Sequence, residues 1–172
     1  RLRDAIMDSA PLLNAKVLPI SIRSAALNKA LAAGLPQLRD DLWRYADLKF
    51  MASAALGPVA AAADAVLTSA VAALLPPRLA GYTRLVFANG RPLAGLSDAC
   101  DYLTPAAPPL VPDRTKHERF GWLNDAFATD VARLTVSGVE RLEIIFAAVP
   151  GVARQAIHPR LEINLGAQAD LV

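Results

Sequence analysis

Apolar positions in this chain follow two periods. Over the first third they recur every three to four residues, and from about Arg133 onward they recur every second residue. The first period predicts helices. Arg1 to about Leu13 reads as one, broken near Pro11 or Asn14. Ser21 is placed to cap a second, whose Ala26, Leu27, Ala30 and Leu31 recur at helical spacing. Gly34 fits the position just past that helix, where glycine alone takes a left-handed conformation cheaply, and Pro36 stops the helix from resuming. Asp40 or Asp41 then places a carboxylate at the positive end of a further helix carrying Trp43, Leu48 and Phe50.

Residues 54 to 77, AALGPVAAAADAVLTSAVAALLPP, approach the length of a bilayer span. Gly57, Pro58 and Asp64 interrupt the stretch, and alanine contributes little insertion energy, so no membrane segment is expected. Val59, Ala63, Val66, Leu67, Ala70, Val71, Leu74 and Leu75 instead share a broad face of an amphipathic helix that Pro76 and Pro77 close. A strand follows at Thr83–Ala88. It ends in Asn89-Gly90, a pair suited to a tight hairpin turn, and the hairpin is expected within 83–98.

Four prolines in the nine residues 104 to 112 make a semi-rigid connector, taken here as 104–118. Phe120, Leu123 and Phe127 predict a short helix. Beyond it the period of two places Leu134 and Val136, then Leu142, Ile144 and Phe146, then Leu161, Ile163 and Leu165 on one face of successive strands. The expected organisation is a mainly helical subdomain over 1–103, the connector over 104–118, and a short helix with strands over 119–172. Strands in such succession suit a sandwich, a barrel or a β-helix alike.

Composition narrows the function classes. Apolar residues make up 54% of the 172 residues and charged residues 20%, which is ample for a core. Net charge is +2 and the basic residues are scattered, so the basic stripe of a nucleic-acid-binding protein is missing. Cys100 is the one cysteine and no secretory leader pattern opens the chain, so a reducing cytoplasm is expected. Alanine-rich runs and arginine in preference to lysine suggest a bacterial source. The chain opens on Arg1 and closes on Val172 within an apolar alternation, and both ends are expected to be artificial.

No motif for chemistry emerges. His117, His158 and Cys100 are far apart, which argues against a metal centre, and His158 before Pro159 reads as an ordinary polar residue in an extended segment. Cys100 has no flanking cation to activate it and reads as a bystander thiol. Phosphate-binding loops and a nucleophile elbow are absent from the sequence. Asp40 and Asp41 read as helix-start charges. Trp43 and Tyr45 read as an anchor between helices, or alternatively as an exposed surface that captures a partner.

The ordered motifs resemble one family. GLPQLRDDLWRYADL resembles the N-terminal signature of the SufB/SufD proteins of iron-sulfur cluster assembly, with Gly34, Pro36, Trp43, Arg44 and Tyr45 in matching places and departures at Gln37, Leu38, Asp41 and Ala46. LVFANGR, with Asn89 and Gly90, resembles the family's hairpin; FGWLNDAFATD, with Leu123, Asn124 and Phe127, resembles a further segment. His158, Pro159 and Arg160, followed by LEINLGAQADLV, resemble the segment leading into the family core. The spacing is closer to SufD.

The resemblance implies an α+β fold: an N-terminal helical subdomain followed by the first strands of a right-handed parallel β-helix. It implies a non-catalytic scaffold segment with no cofactor of its own, whose parent protein assembles with SufB and the ATPase SufC. The regions that bind those partners are expected outside this chain. The last strands are expected either to pair with a second copy, giving a homo-oligomer, or to pack as a small sheet against the helices.

Overall fold

The computed structural model describes residues 18–46, 48–54, 56–58, 63–106, 111, 113–115, 117–150 and 155–172, with only the backbone at Ala52 and Pro58. The helix expected from Arg1 to Leu13, Val59 of the alanine-rich stretch and much of the proline-rich connector lie outside the described residues. The fold is α+β. Its helices are α1 (Ile20–Ala33), α2 (Lys49–Ser53), α3 (Asp64–Ala72) and α4 (Arg119–Phe127). Its strands are β1 (Gly57–Pro58), β2 (Thr83–Ala88), β3 (Arg91–Pro92), β4 (Leu103–Pro105), β5 (Ala132–Val136), β6 (Val139–Glu140), β7 (Leu142–Ala147), β8 (Gln155–Ala156), β9 (Leu161–Leu165) and β10 (Asp170–Leu171).

The chain divides into two compact units, each built from three separate stretches. The first draws on Arg1–Val59, Val111–Ala128 and Gly151–His158. Its core joins Ala26 and Leu27 of α1 to Ala126 and Phe127 of α4, with Leu31 and Leu123 packed alongside. Arg23 is buried with them, and its Nε donates to the Ala126 carbonyl at 2.7 Å. That bond satisfies a carbonyl in the last turn of α4, where helical partners run out. β1 pairs in parallel with β8 in the same unit.

Helix α1 begins one residue before the expected cap. Pro19 occupies the cap position, and its carbonyl accepts from the Ile22 and Arg23 amides, so Ser21 lies inside the first turn. Gly34 does end the helix, at φ 65° and ψ −171°, with its amide on the Ala30 carbonyl. That is the extended positive-φ region, rather than the left-handed helical one, and it is open almost solely to glycine. The single helix expected to carry Trp43, Leu48 and Phe50 does not form. A 3-10 turn at Asp41–Trp43 and the short α2 take its place.

The second unit draws on Ala60–Leu110, Thr129–Pro150 and Pro159–Val172. It holds three-stranded sheets in the orders β3-β2-β7 and β4-β5-β9, and a two-stranded sheet of β6 and β10. The hairpin forms as expected: Asn89 and Gly90 both take positive φ, 49° and 85°, the signature of a type I′ turn, and β3 runs antiparallel to β2. The longer pairing of β2 is parallel, with β7 in register from Thr83↔Leu142 to Ala88↔Ala147. β2 is covered on both faces. Val86 and Ala88 join Leu67 and Val71 of α3, while Leu85 and Phe87 join Ala132, Leu134 and Val136 of β5. This explains why residues 85 to 88 read as a continuous apolar run rather than an alternation.

The alanine-rich helix is shorter and its apolar stripe narrower than the sequence predicts. α3 ends at Ala72, before Pro76, and buries Leu67 and Val71 while Val66 and Leu74 remain exposed. Leu67 and Val71 pack with Val86 and Ala88 of β2 and with Leu93, and Leu75 joins this cluster from beyond the helix end. Pro105, expected in the connector, ends β4 at the edge of its sheet, a place where proline's missing amide costs no ladder bond. The alternation in β9 is only partly realised. Leu161 packs inward, Ile163 and Leu165 are exposed, and Glu162 is buried because Arg133 and Arg160 pair with it.

Strands β5 and β9 pair in parallel from Ala132↔Leu161 to Val136↔Leu165, 29 residues apart, and β6 pairs with β10 from Val139↔Asp170, 31 residues apart. Charge fixes this register as well as packing. Arg84 and Glu143 are paired positions on β2 and β7, and their side chains form a two-pronged bond of 2.6 and 3.0 Å; Arg133 and Glu162 are likewise paired across β5 and β9, with Nε and Nη2 both donating to Glu162 Oε2 at 3.2 and 2.8 Å. The register is testable. In a Cys100→Ser background, cysteines at the exposed partners Thr135 and Asn164 are expected to oxidise to a disulfide, read by gel mobility and thiol titration. Thr135 with Ile163, whose side chain is on the opposite face, is expected not to cross-link, and the reverse pattern would displace the register by one.

Candidate functional site

The expected motif residues gather in two places in the first unit and two in the second. The first place is the loop after α1. Pro36 is buried there. The Gln37 amide donates to Asp40 Oδ2 at 2.8 Å, and the Arg119 guanidinium lies 3.1 Å from the same oxygen. The amide first, and Arg119 behind it, hold the Asp40 carboxyl below its ordinary range. Arg119 also donates to the Leu35 carbonyl at 2.8 Å, so one side chain on α4 ties both ends of the loop.

Trp43 is half-buried against α4. Its indole meets Phe120 edge-on with centroids 5.2 Å apart, and Nε1 donates to the His117 carbonyl at 3.3 Å. Tyr45 departs from the anchoring expectation: it is 95% exposed. The chain turns at Arg44 and Tyr45 instead of continuing as a helix, which sends the ring away from α4. Arg44 is exposed and pairs with Asp41 at 2.9 Å. Trp43 is thus the anchor and Tyr45 part of an open surface.

The second place joins two motifs far apart in sequence. Asn124 Oδ1 lies 3.1 Å from His158 Nδ1, and the His158 ring lies 5.6 Å from that of Phe127. With Oδ1 accepting, Nδ1 carries the proton and the Nε2 lone pair is left over. Burial lowers the His158 pKa from 6.5 to about 4, so the ring is neutral at physiological pH. His158 therefore does more than the sequence reading allowed: it is a half-buried, hydrogen-bonded histidine packed against Phe127. Its i−1 neighbour to a proline gave no hint of burial.

The third place is the hairpin. Asn89 is buried, and beyond its turn role its side chain accepts from the Val149 amide at 2.8 Å and donates to the Val149 carbonyl at 3.3 Å. It thereby holds the segment that follows β7. Arg160, the last of the expected motif, belongs to the charge cluster on Glu162.

A cavity of about 450 Å³ opens beside Cys100, with Asp98, Asp130, Leu103 and Pro105 among its lining residues. Its polar groups are committed elsewhere. Asp98 accepts from the Arg84 amide and pairs with Arg78, while Asp130 pairs with Arg91. Burial, with the Asp101 and Asp98 carboxylates behind it, pushes the Cys100 thiol up and keeps it protonated, the opposite of an activated nucleophile. Among the described residues, no group of three or more His, Cys, Asp or Glu is arranged to hold a metal ion, and no helix is long and apolar enough to cross a membrane.

The class defined by these features is an α+β protein in which Trp43, Asn89, Arg119, Asn124 and His158 tie segments together. No protein-family model matches the chain, and no curated protein matches it significantly.

Proposed function

We propose that this chain is the N-terminal segment of a SufD-like scaffold in bacterial iron-sulfur cluster assembly, non-catalytic itself, whose parent protein assembles with SufB and the ATPase SufC in the cytoplasm. The observation that carries the reading is the parallel pairing of β5 with β9 and β6 with β10 at offsets of 29 and 31 residues. Similar offsets in these two pairs are what stacked coils of a parallel β-helix would produce, because each coil lays its strands on those of the coil before, whereas the parallel pairs β2 with β7 and β1 with β8 lie 59 and 98 residues apart. The pairing falls where the resemblance puts the start of that core. Asn124, Phe127 and His158 support it further, since two motifs of the family, distant in sequence, meet there.

Anaerobic incubation with iron and sulfide tests the proposal. The expected product is colourless, with iron near zero after desalting and no nucleotide hydrolysis; stoichiometric iron and sulfide would overturn it.

A second reading is favoured by Tyr45. An interaction module that captures a partner on the Trp43/Tyr45 surface needs both rings exposed; Tyr45 is, while Trp43 is half-buried.

A further inference from the structure

Asn89 and Gly90 form a turn that is buried rather than open to solvent. The Asn89 amide donates to the Ala147 carbonyl at 3.0 Å, one step past the last paired positions of β2 and β7. The Asn89 side chain then takes the next place in the ladder: Oδ1 accepts from the Val149 amide and Nδ2 donates to the Val149 carbonyl. A carboxamide can do both, because it carries the donor and the acceptor of a peptide group. An aspartate there keeps the first bond and loses the second, which leaves a carboxylate oxygen against a carbonyl. Val149 packs on the cluster of Leu67, Val71, Val86, Ala88 and Leu93, so this clasp helps to close the core beneath α3. Asn89 is also the one asparagine of the chain that precedes a glycine. That pair is prone to cyclise, because glycine has no Cβ to hinder approach to its backbone nitrogen.

We infer that Asn89 is a deamidation site latched by Val149: the closed clasp suppresses the reaction, and once Asn89 has reacted the clasp cannot re-form. A solvent base takes the Gly90 amide proton, and the nitrogen attacks Asn89 Cγ. The new C–N bond closes a succinimide while the Cγ–Nδ2 bond breaks and ammonia leaves. Water then opens the ring at either carbonyl, giving aspartate or isoaspartate, with no change of oxidation state. Attack requires Cγ to swing towards the Gly90 nitrogen, and the two bonds to Val149 oppose that movement. The reaction therefore runs through the open clasp, and its rate follows the population of that state. Aspartate lacks the donor for the Val149 carbonyl, and isoaspartate adds a carbon to the backbone of a tight turn, so either product leaves the segment after β7 released. The inference stands apart from the scaffold and interaction readings.

The whole chain, incubated in mildly alkaline buffer, is followed by peptide mass spectrometry with isoaspartate scored separately. Unfolded in urea, it is expected to deamidate first at Asn89; folded, it is expected to do so there at least about tenfold more slowly. Val149→Pro removes the donor amide and is expected to bring the folded rate close to the unfolded one, with circular dichroism confirming that the variant folds. Urea below the unfolding midpoint tests the latch without any substitution. The parent's rate is expected to depend weakly on urea there, as local opening does, and a rate that rises only with global unfolding would overturn the latch. Asn89→Asp supplies the product. Hydrogen exchange at 147–149 is expected to quicken at least about tenfold in that variant, while 85–87 stay protected. Equal deamidation rates in the folded and unfolded parent, or unchanged exchange at 149 in Asn89→Asp, would overturn the inference.

Discussion

Phe87→Ala is expected to cost about 3–5 kcal/mol of unfolding free energy, the largest single-residue loss in the sheet unit. Phe87 is 2% exposed and faces Leu85, Ala132, Leu134 and Val136, the cluster between the two three-stranded sheets. Its ring also stacks on Phe146, with centroids 5.0 Å apart and planes inclined at 26°. Truncation removes the transfer free energy of the ring and leaves a void that β2 cannot collapse into, because Val86 and Ala88 are held on its other face by α3. Phe146→Ala is the internal comparison. Phe146 is 53% exposed, so its truncation is expected to cost less than half as much. Denaturant midpoints by circular dichroism measure both, and hydrogen exchange at 85–88 localises the effect. A loss under about 1 kcal/mol at Phe87 would mean that the two sheets do not share a packed core.

The elements legible in the sequence were those whose cause is local. Gly34 and Pro36 ended a helix, Asn89 and Gly90 made the hairpin turn, and Phe120, Leu123 and Phe127 marked α4, because each depends on backbone preference or period within a few residues. What failed depended on surfaces supplied from elsewhere in the chain. The helix expected after Asp40 gives way to a 3-10 turn because Arg119, 79 positions downstream, fixes Asp40 and Leu35 into a loop. The apolar stripe of α3 narrowed to Leu67 and Val71, the two side chains that meet Val86, Ala88 and Leu93. Glu162 looked like the polar half of an alternation and is buried, since only the parallel register places Arg133 beside it. A sequence carries no direct mark of such pairing, although Arg84 with Glu143 and Arg133 with Glu162 occupy matching strand positions and are the signal that was there to find.

The candidate site follows the same division. The sequence resemblance drew attention to Trp43, Asn124, Phe127 and His158, but only the fold distinguishes the half-buried Trp43 from the exposed Tyr45 two residues on. Two residues apart on a continuous helix are about 200° apart, so opposite exposures would need no special cause. Here the cause is different: the turn at Arg44 and Tyr45 breaks the helix and releases the second ring.

Acid is expected to destabilise the helical unit through His158. In the unfolded chain its imidazole titrates near 6.5, and in the folded chain burial lowers that to about 4. Between those values the unfolded state binds a proton that the folded state does not, so stability falls as pH drops from 6.5 towards 4 and the contribution levels off below. The full loss is about 3 kcal/mol. The lowered carboxyls of Asp40, Asp98, Glu118 and Glu143 act in a lower window, because a depressed acid loses its stabilising effect only as pH falls through its folded value. His158→Gln separates the two. Its amide can still donate to Asn124 Oδ1 but does not titrate, so the variant is expected to be weaker than the parent at pH 7 and to lose less stability between pH 6.5 and 4. Denaturant midpoints across that range measure the difference, and the carbon-bound ring protons of the histidines followed by NMR give the His158 titration directly. An imidazole titrating near 6.5, or parallel acid limbs in parent and variant, would mean that His158 is solvated and that the contact between the Asn124 and His158 segments is not closed in solution.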